Sequence, residues 1–224
     1  MQRTPIELVC FDIGGVMLRI CNDWAQACDI ARVPVPSSIR QQTMRQDLRA
    51  LAHQHETGQI DDKTFDEQAA ELTGLTPAHV DIVARAWLRH PYPDVNRLLD
   101  RLESAGVPTA CLSNTNARHW SMMLGQIPSG ARLPVQRLGH RLTSHTIGVL
   151  KPDEQIFDHA ERATGTSGHA ILFFDDSADN CQAARRRGWS AYRIDPDRDT
   201  VPQMQHHLVQ HGVLCHDDAA PAMP

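Results

Sequence analysis

None of the six cysteines, Cys10, Cys21, Cys28, Cys111, Cys181 and Cys215, stands in a C-x-x-C pair, so the sequence offers neither a zinc framework nor a redox dithiol. Cys10, Cys111 and Cys181 lie in or beside apolar runs, the pattern of reduced, buried thiols in a cytoplasmic protein rather than of a disulfide scaffold. No apolar run approaches the roughly 18 residues of a membrane span, and the opening Met1-Gln2-Arg3-Thr4-Pro5-Ile6-Glu7 has no apolar stretch of a secretory signal. Basic residues are not in excess: 22 Lys+Arg against 27 Asp+Glu leave a net charge of -5, which offers no general attraction to nucleic acid or to anionic lipid. Gly-x-Gly-x-x-Gly and a phosphate-loop lysine are both missing, so nucleotide-cofactor readings lack support. Internal repeats and low-complexity blocks are absent as well.

What is there is a chain of 224 residues, 41% hydrophobic and 22% charged, close to the globular norm and about one and a half times the usual ~150-residue domain. Short apolar runs, Leu8-Val9-Cys10-Phe11, Ala110-Cys111-Leu112, Ala170-Ile171-Leu172-Phe173-Phe174 and the weaker Ala191-Tyr192-Arg193-Ile194, alternate with stretches whose apolar residues recur three and four apart. That alternation predicts βαβ units, and continuous rather than alternating runs predict strands of a parallel sheet covered on both faces. Helices are expected over 94–105, 153–164 and about 178–187, stopped by Gly106 and Gly188 in the first and last cases. The stretch from Met17 to His90 differs, with four helical patterns and no good strand, broken at Pro34, Pro36, Gly58, Gly74 and Pro91. The expected organisation is an α/β, Rossmann-like parallel-sheet core over 1–16 and 91–200, an inserted all-helical cap over 17–90, and a C-terminal helix with a loose tail over 201–224.

Chemistry-bearing residues follow the three most apolar strands: Asp12-Ile13-Gly14-Gly15, Ser113-Asn114-Thr115-Asn116 and Asp175-Asp176-Ser177. Strand C-termini of an open α/β sheet converge on one crevice, so three carboxylates, a hydroxyl and an amide are expected to meet there. Carboxylates about 4 Å apart repel by roughly 4 kcal/mol per pair at an effective dielectric near 20, and an all-oxygen acidic set suits Mg²⁺. Lys151, followed by Pro152, can reach the same crevice. A cation, a lysine and a Ser/Asn pair would together surround a phosphate, and Asp12 can attack phosphorus to form an aspartyl-phosphate.

Phe11-Asp12-Ile13-Gly14-Gly15-Val16, Leu112-Ser113-Asn114-Thr115-Asn116, Lys151-Pro152 and Phe173-Phe174-Asp175-Asp176-Ser177-Ala178-Asp179-Asn180 resemble, in order, the four motifs of the haloacid dehalogenase superfamily. They most resemble its bacterial α-D-glucose-1-phosphate phosphatase branch, whose cap also carries a segment like His53-Gln54-His55-Glu56-Thr57-Gly58. The resemblance implies Asp12 as nucleophile and metal ligand, the Gly14 carbonyl as a second ligand, Asp176 as the acidic ligand of the last motif, and Asp175 beside it in a supporting or water-mediated role. It further implies that Ser113 and Asn114 hold the phosphoryl oxygens, that Lys151 orients Asp12, and that the helical insert closes over the crevice and selects the leaving group of a small phosphorylated metabolite. One departure has mechanistic weight. Most phosphatases of the superfamily carry an acid/base aspartate where this chain has Gly14; general acid-base help is typically worth 10² to 10⁴ in rate, so slow turnover, a good leaving group or a stand-in is expected. A carbon-halogen hydrolase and a phosphometabolite-binding protein stand as alternatives, and monomer and homodimer are both open.

Other polar clusters read as structural. Thr115 and Asn116 are expected to act as helix caps, His206, His207 and His211 as solvated histidines without the carboxylate or cysteine partners of a metal site, and Arg185-Arg186-Arg187 as a solvated helix end.

Overall fold

The computed structural model describes residues 5–215. Its core is a five-stranded sheet in the order β5 (His140–Thr143), β4 (Thr109–Ser113), β1 (Leu8–Phe11), β6 (Ile171–Asp175), β7 (Ser190–Arg193), every neighbouring pair parallel. The continuous apolar runs are explained by what covers them. Leu8, Cys10, Ile171 and Phe173 pack against Ile156, Phe157 and Ala160 of α8 (Glu154–Thr164) and Ala183 and Ala184 of α9 (Ala178–Arg186). The alternate residues Val9, Phe11, Leu172 and Phe174 face α5 (Val95–Ser104) and α10 (Thr200–Gln210) through Leu98, Leu102, Met204 and Leu208.

Between β1 and β4 the chain leaves the sheet and builds α1 (Trp24–Ala31), α2 (Gln42–Glu56), α3 (Asp62–Thr73) and α4 (Pro77–Ala86), which bury a separate core including Cys28, Leu48, Leu51, Phe65, Val80 and Val83. Their boundaries are written in the sequence: Asp23, Asp61 and Thr76 each accept a backbone N–H of the first turn, and Gly74 closes α3 at φ +77. Each such cap is worth about 1 kcal/mol.

The insert is not helical throughout. β2 (Leu18–Ile20) pairs antiparallel with β3 (Leu88–Pro91), forming a two-stranded stem where the insert leaves and rejoins the core. Three residues are too few to show a period, and Leu88, inside the stretch read as helical throughout, falls in the strand because α4 stops at Ala86. β5 is the other strand absent from the sequence pattern; it lies at the sheet edge, and its His-Arg start is polar. At the C-terminal end, Leu214 is buried and its N–H donates to Leu208 O at 3.3 Å, so the tail begins packed against α10; the rest of the expected loose tail lies outside the described residues. No helix among the described residues is long and apolar enough to cross a membrane.

Candidate active site

The parallel register places the ends of β1, β4 and β6 side by side. Asp12 leaves β1 with its N–H donated to Phe174 O at 2.8 Å, Ser113 ends β4, and Asp175 ends β6 with Asp176 next. Lys151 enters from the turn before α8. Its Nζ lies 2.8 Å from Asp12 Oδ1 and 2.7 Å from Asp175 Oδ2, with its side chain 1% exposed. Asp12, Asp175 and Asp176 each bring a carboxylate oxygen within 4.8 Å of the other two. The expected convergence on one place therefore holds, and Asp12, Ser113, Lys151 and Asp176 line a common cleft with Asp175 buried behind it.

Their roles separate on hydrogen bonding. Asp175, fully buried, accepts from Lys151 Nζ, from the Ser177 N–H at 2.8 Å, and from Asn180 Nδ2 at 3.0 and 3.1 Å. Those contacts occupy the roughly four lone-pair sites of a carboxylate, and Asp175 does not line the cleft, whereas Asp12, Asp176 and the Gly14 backbone do. Asp175 thus anchors Lys151, and Asp176 is the last-motif carboxylate open to the cleft. Asn114 is likewise committed: its Oδ1 accepts the Lys151 N–H at 2.8 Å and its Nδ2 donates to Lys151 O at 3.0 Å, so most of its side chain clamps the lysine and one amide hydrogen remains. Ser113 is buried at the cleft wall. Asn116 caps α6 (Ala117–Met123) as expected; Thr115, expected to cap beside it, instead donates its N–H to the Ser144 hydroxyl at 2.9 Å, and Ser177 caps α9.

The electrostatics follow from burial. Desolvation raises Asp12 to about 7 against the opposing pull of Lys151, with Asp175 and Asp176 adding to the rise. Desolvation and Asp175 raise Asp176 as well. Burial works against the Lys151 charge, but Asp12 and Asp175 outweigh it and lift its pKa. Three carboxylates around one ammonium leave excess negative charge in a poorly hydrated place, and a proton or a hard cation relieves it.

The signature of the haloacid dehalogenase-like hydrolase family matches residues 6–188. The chain belongs to that family. Among curated relatives, (S)-2-haloacid dehalogenase H-109 of Pseudomonas putida is 23% identical over 195 residues, covering 83% of this chain and 84% of the relative. Phosphatase MT3486 of Mycobacterium tuberculosis is 30% identical over 130 residues, 58% of each chain. Among solved structures, the HAD family enzyme bt-2542 of Bacteroides thetaiotaomicron shares the fold with a TM-score of 0.77 at 22% identity, covering 90% of this chain and 99% of that one.

In this haloacid dehalogenase-like hydrolase the cleft, about 270 Å³, is walled on its far side by residues from the stem and the insert: Leu18, Ile20, Trp87, Leu88 and Glu56. Glu56 is the last residue of α2, and its carboxyl makes no hydrogen bond or ion pair with the described residues. Burial alone raises it from 4.5 to about 7. His119, which no local pattern in the sequence marks, also lines the cleft; burial lowers it to about 4, and its ring is pinned between Asn116 Nδ2 at 3.2 Å and Ala84 O at 2.8 Å. A group that ionises less readily in the fold than outside it adds stability that is complete below its unfolded pKa and is lost as pH rises through its folded one. Glu56→Gln is therefore expected to melt above the wild type at pH 8 and level with it at pH 4, checked by thermal denaturation at the two values.

The insert is fastened to the core beside the site. Ser144 opens the short α7 (Ser144–Ile147); its hydroxyl donates to Glu56 O at 2.6 Å and meets Thr115 O at 3.0 Å, and a Cβ on Gly58 would stand 2.4 Å from His145 O. Arg118 of α6, 3% exposed, holds Asp66 at 2.7 and 2.9 Å and Asp62 O at 3.1 Å, and stands 3.4 Å from Asp81. Arg118→Ala leaves Asp66 without its partner, while Asp81 keeps Arg85 at 2.8 and 3.0 Å; removing one partner of a buried pair costs about 3–5 kcal/mol, so a lower Tm and faster proteolysis within the insert are expected.

The remaining sequence candidates lie elsewhere. His53 is exposed, and His55 is buried against Phe65 with Nε2 2.7 Å from Asp62. His206 is exposed as expected, but His207 stacks on Tyr192 at 3.7 Å and His211 Nε2 lies 2.8 Å from the Tyr192 hydroxyl; these two are packing histidines rather than solvated ones. Cys21 and Cys28 are buried, and of the six thiols only Cys215 is exposed.

Proposed function

We propose that this hydrolase is a Mg²⁺-dependent phosphomonoesterase that acts on a small phosphorylated metabolite, a sugar phosphate first, through an aspartyl-phosphate. The carrying observation is Lys151 fixed between Asp12 and Asp175 while Asp176 and Gly14 open onto the same cleft. The donor set suits a hard divalent cation, since it is all oxygen, acidic and short of compensating charge. Asp12, the Gly14 carbonyl and Asp176 would hold Mg²⁺, which supplies charge neutralisation at the phosphoryl oxygens. Lys151 holds Asp12 Oδ1, leaving the second carboxylate oxygen to form a bond to phosphorus as the bond to the leaving oxygen breaks. Ser113 and the remaining amide hydrogen of Asn114 donate to the phosphoryl group. Water then attacks phosphorus and releases Asp12. The insert, with its stem, shields the reaction from bulk water.

The phosphatase relative from Mycobacterium tuberculosis and the complex of bt-2542 with magnesium and inorganic phosphate support this reading, as do the motif resemblances to the glucose-1-phosphate phosphatase branch. A carbon-halogen hydrolase is the second reading, favoured by the Pseudomonas relatives; it leaves Asp176, open to the cleft, without a task. The deciding experiment measures phosphate release from p-nitrophenyl phosphate and sugar phosphates, and halide release from 2-chloropropionate, each with Mg²⁺ and with EDTA. EDTA-sensitive phosphate release is expected; EDTA-insensitive halide release without phosphate release sinks the proposal.

Gly15 supplies a further check. At φ +71 it lies so close to Asp176 that a Cβ would stand 2.5 Å from Oδ2. Gly15→Ala must displace the carboxylate, and disturbing the support of a metal ligand typically costs about 10- to 100-fold in metal affinity. A rise of that size in the Mg²⁺ concentration for half-maximal activity is expected.

A further inference from the structure

The cleft has two chemically different ends. At the strand ends Lys151 is the cation, and it is already shared by Asp12 and Asp175. At the other end stand Trp87, Ile20 and Leu88 with Glu56 among them, and a small neighbouring cavity of about 80 Å³, reached past Glu56, Trp87 and His119, is lined by Trp24 and Phe65. Its basic side chains are committed: Arg118 to Asp66 and Asp62, and His55 to Asp62. His119 is neutral and pinned at both nitrogens. Glu56 comes from the end of α2 in the insert, whereas Lys151 and the strand-end carboxylates belong to the core. Its backbone is tied to Ser144 and through it to Thr115, so the carboxyl is presented from a fixed point.

We propose that Glu56 is the specificity-determining residue for the leaving group, accepting hydrogen bonds from the hydroxyls of an uncharged polyol and rejecting any leaving group that carries a second anion. The inference rests on the phosphatase reading above. An unpartnered carboxyl in a half-buried apolar wall gains from a hydroxyl donor and loses from a facing carboxylate or phosphate, because among the described residues the one arginine at that end, Arg118, is already held by Asp66 and Asp62. The aromatic wall covers the carbon face of the same polyol. A 2-haloalkanoate carries the excluded carboxylate, so the same residue weighs against the halide-releasing alternative.

The test compares two phosphomonoesters that differ only in a terminal CH₂OH or carboxylate, glycerol 3-phosphate and 3-phosphoglycerate. In the wild type kcat/KM is expected to favour glycerol 3-phosphate by about 10- to 100-fold. In Glu56→Gln the preference falls to within about threefold because the carboxylate ester binds better, a change in KM rather than in kcat, and in Glu56→Lys the preference reverses. Each ratio is taken within one preparation, so loss of folded protein cancels. Equal use of the two esters by the wild type, or a ratio unchanged in both variants, overturns the inference, as does faster turnover of ethanolamine phosphate than of ethylene glycol phosphate, which would assign the carboxyl to an ammonium. Failure of the underlying reading looks different: no Mg²⁺-dependent phosphate release from p-nitrophenyl phosphate at all.

Discussion

Asp12→Asn is expected to lower phosphate release by at least about 10³-fold while leaving the protein folded. A carboxamide cannot form the acyl-phosphate, and removing the group that makes the covalent bond is among the costliest single changes to an enzyme of this kind. The fold should tolerate it for an electrostatic reason. Burial and two neighbouring carboxylates already hold Asp12 up at about 7, so its charge costs the folded state, and an isosteric neutral side chain removes that cost along with the bond to Lys151. Lys151 keeps Asp175 at 2.7 Å, and Tm should stay within a few degrees of the wild type. Residual turnover above about one per cent, with Tm unchanged, would move the nucleophile elsewhere in the cleft and leave Asp12 as a metal ligand alone.

How much of this was legible in the sequence depends on whether the information was local. β1 and β6 stand out because both of their faces are covered, so Leu8–Phe11 and Ile171–Phe174 read as unbroken apolar runs. Asp12, Ser113 and the Asp175-Asp176 pair were legible for the same reason, as polar residues directly after such runs. β2, β3 and β5 were not, being short or polar, with their pairing supplied by distant chain. The division of labour at the site was not in the local pattern. Asp175 and Asp176 are adjacent and identical in type; the family resemblance already implied a supporting role for Asp175, and the convergence of Lys151, Asn180 and Ser177 on it gives the physical reason. Asn114 reads as a phosphate donor until its clamp on the Lys151 backbone is seen. Glu56, Trp87 and His119 come from α2, the end of α4 and α6, and meet only because the insert folds back over the strand ends; no spacing in the chain brings them together.

Lys151→Met tests the other half of the cluster, and here fold and function are expected to fail together. The ammonium is enclosed, 1% exposed, and satisfies an Asp175 side chain that has no contact with solvent. A methionine of similar reach fills the space but leaves Asp175 with only the amide and backbone donors of Asn180 and Ser177. Breaking a buried pair by removing one partner costs about 3–5 kcal/mol, so a clear fall in Tm is expected. The pH dependence carries the sign. Asp12, which in the wild type Lys151 pulls down against burial, loses its largest lowering influence and must titrate higher still. A carboxyl raised in the folded state contributes stability at low pH that is lost as pH rises through its folded value; the two forms lose it in parallel up to the wild type's value of about 7, and the deficit of the variant relative to the wild type should widen above it. Activity moves the opposite way with pH, because only ionised Asp12 attacks phosphorus: the rate should fall by about 10²- to 10³-fold at neutral pH, and what remains should climb with pH beyond the point where the wild type levels off. A variant that keeps wild-type Tm at pH 8 would mean that Asp175 finds its compensation without Lys151, and the charge balance described for this site would then be wrong at its centre.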